Sequence, residues 1–562
     1  MPTLINGMSV SRGTRAANDP PDVVIGSELE RLRRNWRVIA VIAAAALGVL
    51  ALQAFLHGHF SAVDEYDDGV YFGASLELSH GVLAYRDFAF IQPPMITVWM
   101  LPFAGLSSLT GTAVAMEAGR FFVDLVSVTN VVLVGALVRR RATLHVIVVT
   151  GITAFSQGTI RSSQTILIEP FLVLACLTAL LFLMHGDAVT LSSRRVGWSG
   201  ACFGVAGATK VWAIFPLVAA LIIMSTVKKG GRRTLVGGAL IGFFACSLPF
   251  IVGAPVAFFH EVLVTQATRN AGGLALPERM ADLTGIPGFS SLTEQHRVLG
   301  LGLLALLLLI GSLALLVCRN VRERLRWSPL ERFSLWSTLL VGAALLLSPT
   351  YYYHYSGFMA PFLALVVGTV IAKLRDPLGN LLPVRSLLLR AMVELVTVPS
   401  LVALLLATVI AEVLHLPVAP HVGDSVSDAI PARGCVLYAN PTLAILDNRF
   451  TADTSGCPDV IDWLGQERVL DNGVSVTGSG SANKKLQTVM SHWLDASDAI
   501  VLEAGNFGLN AANVGYLSHH FERRAGIPRG LRIYVRASRH RQGRDAEGPL
   551  AIDSRSSHDR GG

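Results

Sequence analysis

The sequence predicts an α-helical polytopic membrane protein of about eleven spans, followed by a small extracytoplasmic α/β domain. Three observations predict it. Hydrophobic residues make up 52% of the 562 and charged residues only 15%, against about 25% charge in soluble domains. Apolar runs recur that can cross a bilayer core about 30 Å thick, and the mean hydropathy is +0.53. From His415 onward the composition turns polar. These values exclude a soluble enzyme, a disordered chain and a coiled coil. The net charge of +7 belongs to cytoplasmic loops and not to nucleic-acid binding, because no basic stripe with interleaved aromatics occurs.

Residues 1–36 are a polar cytoplasmic tail, and a basic cluster of Arg31, Arg33, Arg34 and Arg37 leads into the first apolar run. Val38–Leu56 is the first membrane helix. It is too long for a signal-peptide core and has no small-residue cleavage site after it. Further runs lie at 119–138, 143–160, 165–185, 196–209, 211–227, 234–253, 298–318, 332–348, 357–374 and 392–414. The clusters Arg139–Arg141, Arg194–Arg195, Lys228–Arg233, Arg319–Arg326 and Lys373–Arg390 all fall inside when residues 57–118 stay outside. Counting Met95–Leu109 as a span would move Arg139–Arg141 outside, so that segment is expected to lie in or dip into the outer face. The runs 196–209 and 211–227 form a helical hairpin with Lys210 at its tip, and 254–297 is a second large outer loop. The membrane domain thus covers 37–414.

The α/β domain covers 415–537. Its short apolar runs are Cys435–Tyr438, Ala499–Leu502 and Leu531–Val535, with helices expected near 440–447, 483–495 and 510–523. Residues 538–562, rich in Arg, Asp, Ser and Gly, are expected to be disordered. Cys176, Cys202, Cys246 and Cys318 lie in apolar runs as packing residues. Cys435 and Cys457 lie in the polar part and are expected to pair as a disulfide outside the cytoplasm. No zinc-like cysteine spacing occurs.

Chemistry concentrates in the first outer loop. Asp64, Glu65, Asp67 and Asp68 repel one another at the end of a membrane helix. They are either a solvated loop that ends the helix, or a group containing a general base or metal ligand. Val70–Ser79 reads as an amphipathic surface helix stopped by Gly81, with the carboxylates at its N-terminus. Tyr85-Arg86-Asp87-Phe88 and Gln92-Pro93-Pro94 follow, and the prolines begin the next helix.

Cations share that outer face: Arg120, Arg161, Lys210, Arg269, and His354 within the run Tyr351–Tyr355. They suit a departing phosphate on which negative charge builds. Their ordinary alternative is snorkelling to lipid headgroups. Glu169, inside the Ile166–Met184 run, demands a partner, either Arg161 or Lys210. The tyrosines of 351–355 either stack on a sugar or form an interfacial belt. Gly478-Ser-Gly480 offers a weak anion cradle, and Asp453, Asp459 and Asp462 read as a solvated face.

The succession of an acidic pair, Tyr71, a short helix closed by Gly81, Tyr85-Arg86-Asp87 and Gln92-Pro93-Pro94 resembles the first periplasmic loop of the GT-C glycosyltransferases. The nearest branch is that of the protein O-mannosyltransferases and lipid A aminoarabinose transferases. The resemblance covers residues 38–375. It extends to the Gly-rich segment Gly204–Lys210 with Pro216, and to the tyrosine-rich turn followed by Pro361.

It implies a GT-C-like membrane fold and a hexosyl or pentosyl transfer from a polyprenyl-phosphate sugar donor. The acceptor would be a cell-wall glycan, lipid or protein outside the cytoplasm. It implies Asp67 as catalytic base with Asp68 beside it, while Asp64–Glu65 remains a second acidic pair able to fill that role. The substrate-binding set it implies is Tyr71, Arg86, Asp87, Gln92, Arg120 and Arg161, with Glu169, Lys210, Arg269, His354 and Tyr355. Gln92 stands where the family commonly has Lys, so another cation must meet the phosphate. No particular cofactor is implied. The acidic cluster could take Mg²⁺ or Mn²⁺, but no ligand spacing demands a metal.

High Ala, Arg, Gly and Val with little Lys suit a bacterium, and hence a multi-pass protein of the plasma (inner) membrane. Its N-terminus would be cytoplasmic and its C-terminal domain periplasmic. The partners are then the lipid-linked donor, the acceptor and the bilayer. A membrane transporter or lipid flippase is the rival reading. Glu169, Lys210 and broken helices suit it, but no matched pair of interrupted helices appears in two halves. A non-catalytic assembly protein presenting its C-terminal domain is the second rival.

Overall fold

In hydrocarbon a chain must satisfy its backbone N–H and C=O groups within the segment, so long uncharged runs become helices. The structure, a computed structural model, describes residues 21–58, 60–63, 65–225, 230–268, 272–284, 327–375, 398–414, 426–450, 457, 460–470, 480–503, 508–525 and 530–537. The membrane part begins with α1 (Pro21–His57), α2 (Tyr66–Ser79), α3 (Met95–Thr110), α4 (Thr112–Val138) and α5 (Thr143–Phe155). It continues with α6 (Gln157–Ser163), α7 (Glu169–Leu183), α8 (Ser193–Thr209), α9 (Ile214–Met224) and α10 (Gly231–Gly253).

Among the described residues, five helices are long and apolar enough to cross a membrane: Gly26–Leu56, Thr112–Val138, Gly231–Gly253, Pro329–Leu347 and Tyr353–Lys373. Shorter apolar helices are Met95–Thr110, Glu169–Leu183, Val211–Met224 and Val398–Val413. The chain is thus a multi-pass membrane protein. The predicted run 298–318 lies outside the described residues, as does the tail 538–562.

Two runs differ from expectation. The run 143–160 is not one straight helix: α5 and α6 meet at 46°. Ser156 between them is extended, and the polar Gln157 and Arg161 of α6 reach the carboxylate of Glu412. The run 165–185 becomes helical only at Glu169, with Pro170 in the first turn, where a missing N–H costs nothing.

Small residues let α8 and α10 meet backbone to backbone. A Cβ on Gly200 would lie 2.1 Å from the Leu235 carbonyl, and one on Gly204 2.1 Å from the Ala239 carbonyl. Gly238 and Gly242 face back in the same way. Such faces substitute packing for the hydrophobic drive that lipid does not supply between helices.

Polar side chains sort to the two ends of the bundle. At one end Arg141 pairs with Asp187 at 2.8 Å and Glu331 at 3.0 Å, and Lys373 reaches Glu331 at 3.2 Å. Asn35 donates to the carbonyls of Arg139 and Arg141 there. The acidic loop lies at the opposite end of α4, where Arg120 meets Asp68.

The largest correction concerns α2. It is not a surface helix: Asp68 to Glu77 are all buried. One side packs on α3, and the helix Pro441–Leu446 covers the other. Gly69 permits this, since a Cβ there would sit 2.2 Å from the Thr442 nitrogen. The expected stop does form. Gly81 is left-handed at φ +85° and bonds to the Leu78 carbonyl, while Val82 bonds to that of Glu77, the two contacts of a Schellman motif.

The C-terminal unit is a four-stranded sheet in the order Val436–Tyr438, Ala499–Glu503, Leu531–Arg536, Phe521–Arg523. The first pair is parallel and the others antiparallel. Side chains alternate between its faces: Leu437, Ile500 and Leu502 pack with the helix Lys484–Ala496, and Tyr438, Val501 and Ile533 pack with Leu443. Asn483 and Asn510 cap the helices Lys484–Ala496 and Ala511–His520. The helix expected over 510–523 ends at His520, because the chain turns there into the edge strand Phe521–Arg523. Cys435 and Cys457 are joined as a disulfide, with Cα atoms 5.2 Å apart.

Candidate active site

The site is built where α2, the turn before the helix Ser356–Arg375, the α8–α9 break and the C-terminal unit converge. Asp67 and Asp68 occupy the first turn of α2, where the positive end of the helix dipole favours carboxylates. Being adjacent on a helix, they point about 100° apart and meet different surroundings.

Asp68 is fully buried. It accepts hydrogen bonds from Arg120, from Thr165 and, at 2.7 Å, from the Thr442 hydroxyl. Arg120 also donates to the carbonyls of Phe60 at 2.7 Å and Ala62 at 2.9 Å. This pair ties the loop to the bundle and to the C-terminal unit. Arg120 therefore neutralises Asp68 and holds the loop.

Asp67 is half-buried and opens into a cleft of about 50 Å³. Tyr71, one turn on, donates to it at 3.3 Å. Tyr66, Gln92, Tyr352 and Asp462 line the same cleft. Gln92 is placed there by Tyr85, whose hydroxyl donates to the Gln92 carbonyl at 2.5 Å. Tyr85 adopts a left-handed backbone at φ +69° and buries its ring 5.0 Å from that of Phe258. Such a conformation persists only where packing over-determines it. Arg86 and Asp87 pair with each other at 2.7 Å on the exposed side of this turn, outside the cleft lining.

Beside the cleft lies a buried charge cluster. Glu169, 1% exposed at the start of α7, accepts from Lys210 Nζ at 2.6 Å and contacts His354 Nδ1 at 3.0 Å. Lys210, and not Arg161, is thus its lysine or arginine partner. Lys210 breaks the hairpin in an extended conformation between α8 and the turn Val211–Ala213. Its ammonium lies 3.9 Å from the Trp212 ring centre and 4.1 Å from that of Tyr355, which are cation–π contacts. Arg161 pairs instead with Glu412 at 3.0 Å and lies 5.5 Å from the Tyr353 ring.

Three consecutive residues join cluster to cleft. Tyr352 lines the cleft, the Tyr353 hydroxyl donates to Glu65, and His354 holds Glu169. Burial pushes the Glu65 carboxyl up, against the lowering effect of the Tyr353 hydrogen bond. Glu261, in the segment after α10, accepts from the Phe90 N–H at 2.7 Å. Burial pushes its carboxyl up to about 8, and nearby Asp462 adds to the rise.

The structure therefore brings together Asp67, Tyr71 and Gln92 at the cleft, and Glu169, Lys210, His354 and Tyr355 in the cluster. It places Asp68 and Arg120 in a buried ion pair with each other. Arg269, Asp64, Asp453, Asp459 and Gly478 lie outside the described residues. Asp462 is not a solvated residue: it is half-buried and accepts from the Tyr66 hydroxyl at 3.2 Å. Sequence reasoning missed Thr442, which carries no motif. It also missed Glu412, whose signal was a carboxylate in an apolar run. Among the described residues no group of three or more His, Cys, Asp or Glu side chains is arranged to hold a metal ion.

Residues 90–349 match the model of Glycosyltransferase family 87. No curated protein matches the chain. Among solved structures, the chain is similar to ArnT from Cupriavidus metallidurans bound to undecaprenyl phosphate. The identity is 14% and the TM-score 0.58, over 89% of this chain and 98% of that one. The apo state of the same ArnT gives 12% identity and a TM-score of 0.54 over the same shares. The expected fold is thus present along most of the chain. The match to Glycosyltransferase family 87 falls on the central part of the same chain.

Proposed function

We propose that the protein transfers a sugar from a polyprenyl-phosphate donor to a hydroxyl outside the cytoplasm, in the plasma membrane of a bacterium. One observation carries the reading: Tyr352, Tyr353 and His354 join a carboxylate cleft at Asp67 directly to a buried cation cluster at Lys210. Such a transfer needs a base at the acceptor and positive charge at the leaving phosphate. The undecaprenyl phosphate of the similar ArnT supports a lipid-linked donor.

Asp67 takes the proton of the acceptor hydroxyl. The acceptor oxygen then bonds to the anomeric carbon as the bond from that carbon to the phosphate oxygen breaks. The polyprenyl phosphate leaves with the negative charge, which Lys210 and His354 meet. Glu169 holds those two groups in place beforehand, so no reorganisation is needed as charge develops. Tyr355 and Trp212 flank the ammonium, and the lipid tail lies along the apolar helices.

The test is turnover in nanodiscs with polyprenyl-phosphate mannose and polyprenyl-phosphate arabinose, reading released polyprenyl phosphate by mass spectrometry. Wild type should release it and folded Asp67→Asn should not. Full transfer by Asp67→Asn would overturn the assignment of the base. Absence of both turnover and donor binding in wild type would overturn the lipid-linked donor.

A further inference from the structure

We infer that the C-terminal unit supplies one wall of the acceptor site, and that Asp462 positions the acceptor by accepting from a hydroxyl other than the one Asp67 deprotonates. The inference rests on the transfer reading above and names the side of the cleft on which the acceptor lies.

The cleft over Asp67 draws on three parts of the chain. The first outer loop gives Tyr66 and Tyr71, the late outer turn gives Tyr352, and the C-terminal unit gives Asp462 and Leu464. No Lys, Arg or His is among its lining residues, whereas the neighbouring cluster holds Lys210 and His354. Phosphate belongs with the cations. Two carboxylates among tyrosine rings suit a neutral polyhydroxyl ring instead, since carboxylates accept from hydroxyls and ring faces pack on C–H surfaces.

Asp462 is held rigidly for this task. Its Oδ1 accepts from the Tyr66 hydroxyl at 3.2 Å and from the Gly465 N–H at 2.8 Å. The Trp463 N–H in turn donates to the Tyr66 oxygen at 3.0 Å. Five residues earlier, Cys457 is bonded to Cys435 beside the first strand of the sheet. The segment bearing Asp462 is therefore fixed covalently on one side and by α2 on the other. A carboxylate held this way can accept from a second hydroxyl of the acceptor and so aim the reacting hydroxyl at Asp67.

A purely structural role for Asp462 also exists, as the cap of the helix Trp463–Leu470. The two roles separate by substitution. Asn caps a helix as well as Asp does, while Ala does not. Asp462→Asn thus keeps the cap and removes the charge.

The experiment uses the full chain in nanodiscs with methyl α-mannopyranoside and methyl arabinofuranoside as acceptor probes. Saturation-transfer NMR reads their binding without turnover, and release of polyprenyl phosphate reads transfer. Asp462→Asn should weaken glycoside binding and raise acceptor KM about tenfold, the loss of one charge-assisted hydrogen bond, with donor KM and melting temperature unchanged. Asp462→Ala should add a loss of melting temperature. Wild-type glycoside binding by Asp462→Asn would overturn the inference. So would equal losses for donor and acceptor, or the absence of glycoside binding to wild type. Failure of the transfer reading would show separately, as absent release by wild type while the NMR difference between wild type and Asp462→Asn persists.

Discussion

Lys210 and Glu169 face each other at 2.6 Å in a site where the whole residues are 5% and 1% exposed. A buried pair of this kind is costly to break on one side only, because the remaining charge is left without compensation. Glu169→Gln keeps the shape and leaves Lys210 and His354 without their shared anchor. We expect it to lower kcat by about 10- to 100-fold, the range for loss of a group that orients another ligand, with the protein still folded. Lys210→Arg should not rescue function. The guanidinium is planar and wider than the ammonium that lies over Trp212 and Tyr355. Single-turnover release of polyprenyl phosphate by both variants checks this.

The Arg120–Asp68 pair predicts the opposite pattern, loss of fold before loss of chemistry. Asp68 accepts from Arg120, Thr165 and Thr442, so it joins α4, the segment before α7 and the C-terminal unit. Asp68→Ala should destabilise the protein by about 3–5 kcal/mol, the cost of leaving one buried charge alone. Arg120→Ala should cost a similar amount, and the double variant much less than the sum. Thermal melting of the four proteins in detergent gives the coupling directly.

These two pairs also show what the sequence can and cannot reveal. Glu169 and Lys210 were visible because ionisable residues in apolar runs need partners. The helix over 70–79 and its stop at Gly81 were visible because local backbone bonds determine them. The burial of α2 was not visible, since its outer side is covered by Thr442 and Ile445 from far along the chain. Asp68 could not be told from Asp67 for the same reason: adjacent carboxylates differ only in what the fold brings to each. Asp462 read as solvated because nothing local reveals that Tyr66 will meet it.

Glu261 gives the protein a stability term that depends on pH. Its carboxyl is raised from 4.5 to about 8, chiefly by burial. A raised carboxyl binds a proton more tightly in the folded state than in the unfolded one. Its contribution is therefore fully present below about 4.5 and is lost as pH rises through about 8. Melting temperature of the wild type should fall across this window relative to Glu261→Gln, which keeps the acceptor for the Phe90 N–H and cannot ionise. Identical pH profiles for the two proteins would show that Glu261 does not titrate there.

The glycine face between α8 and α10 makes the last prediction, one of assembly. Gly204 lies against the Ala239 carbonyl so closely that a methyl group would stand 2.1 Å from it. Backbone atoms cannot yield as the end of a flexible side chain can. Gly204→Val must therefore push the two helices apart. Because Lys210 directly follows the end of α8, this displacement should also move the ammonium away from Glu169. Overpacking of a core costs about 1–3 kcal/mol, and an effect confined to packing would lower melting temperature alone. Transmission to Lys210 predicts a larger fall in transfer rate than in stability, with Gly237→Val, where a Cβ would meet nothing within 4 Å, as the control that changes neither. Comparing melting temperature with polyprenyl phosphate release for the two variants decides whether the hairpin sets the position of the cation.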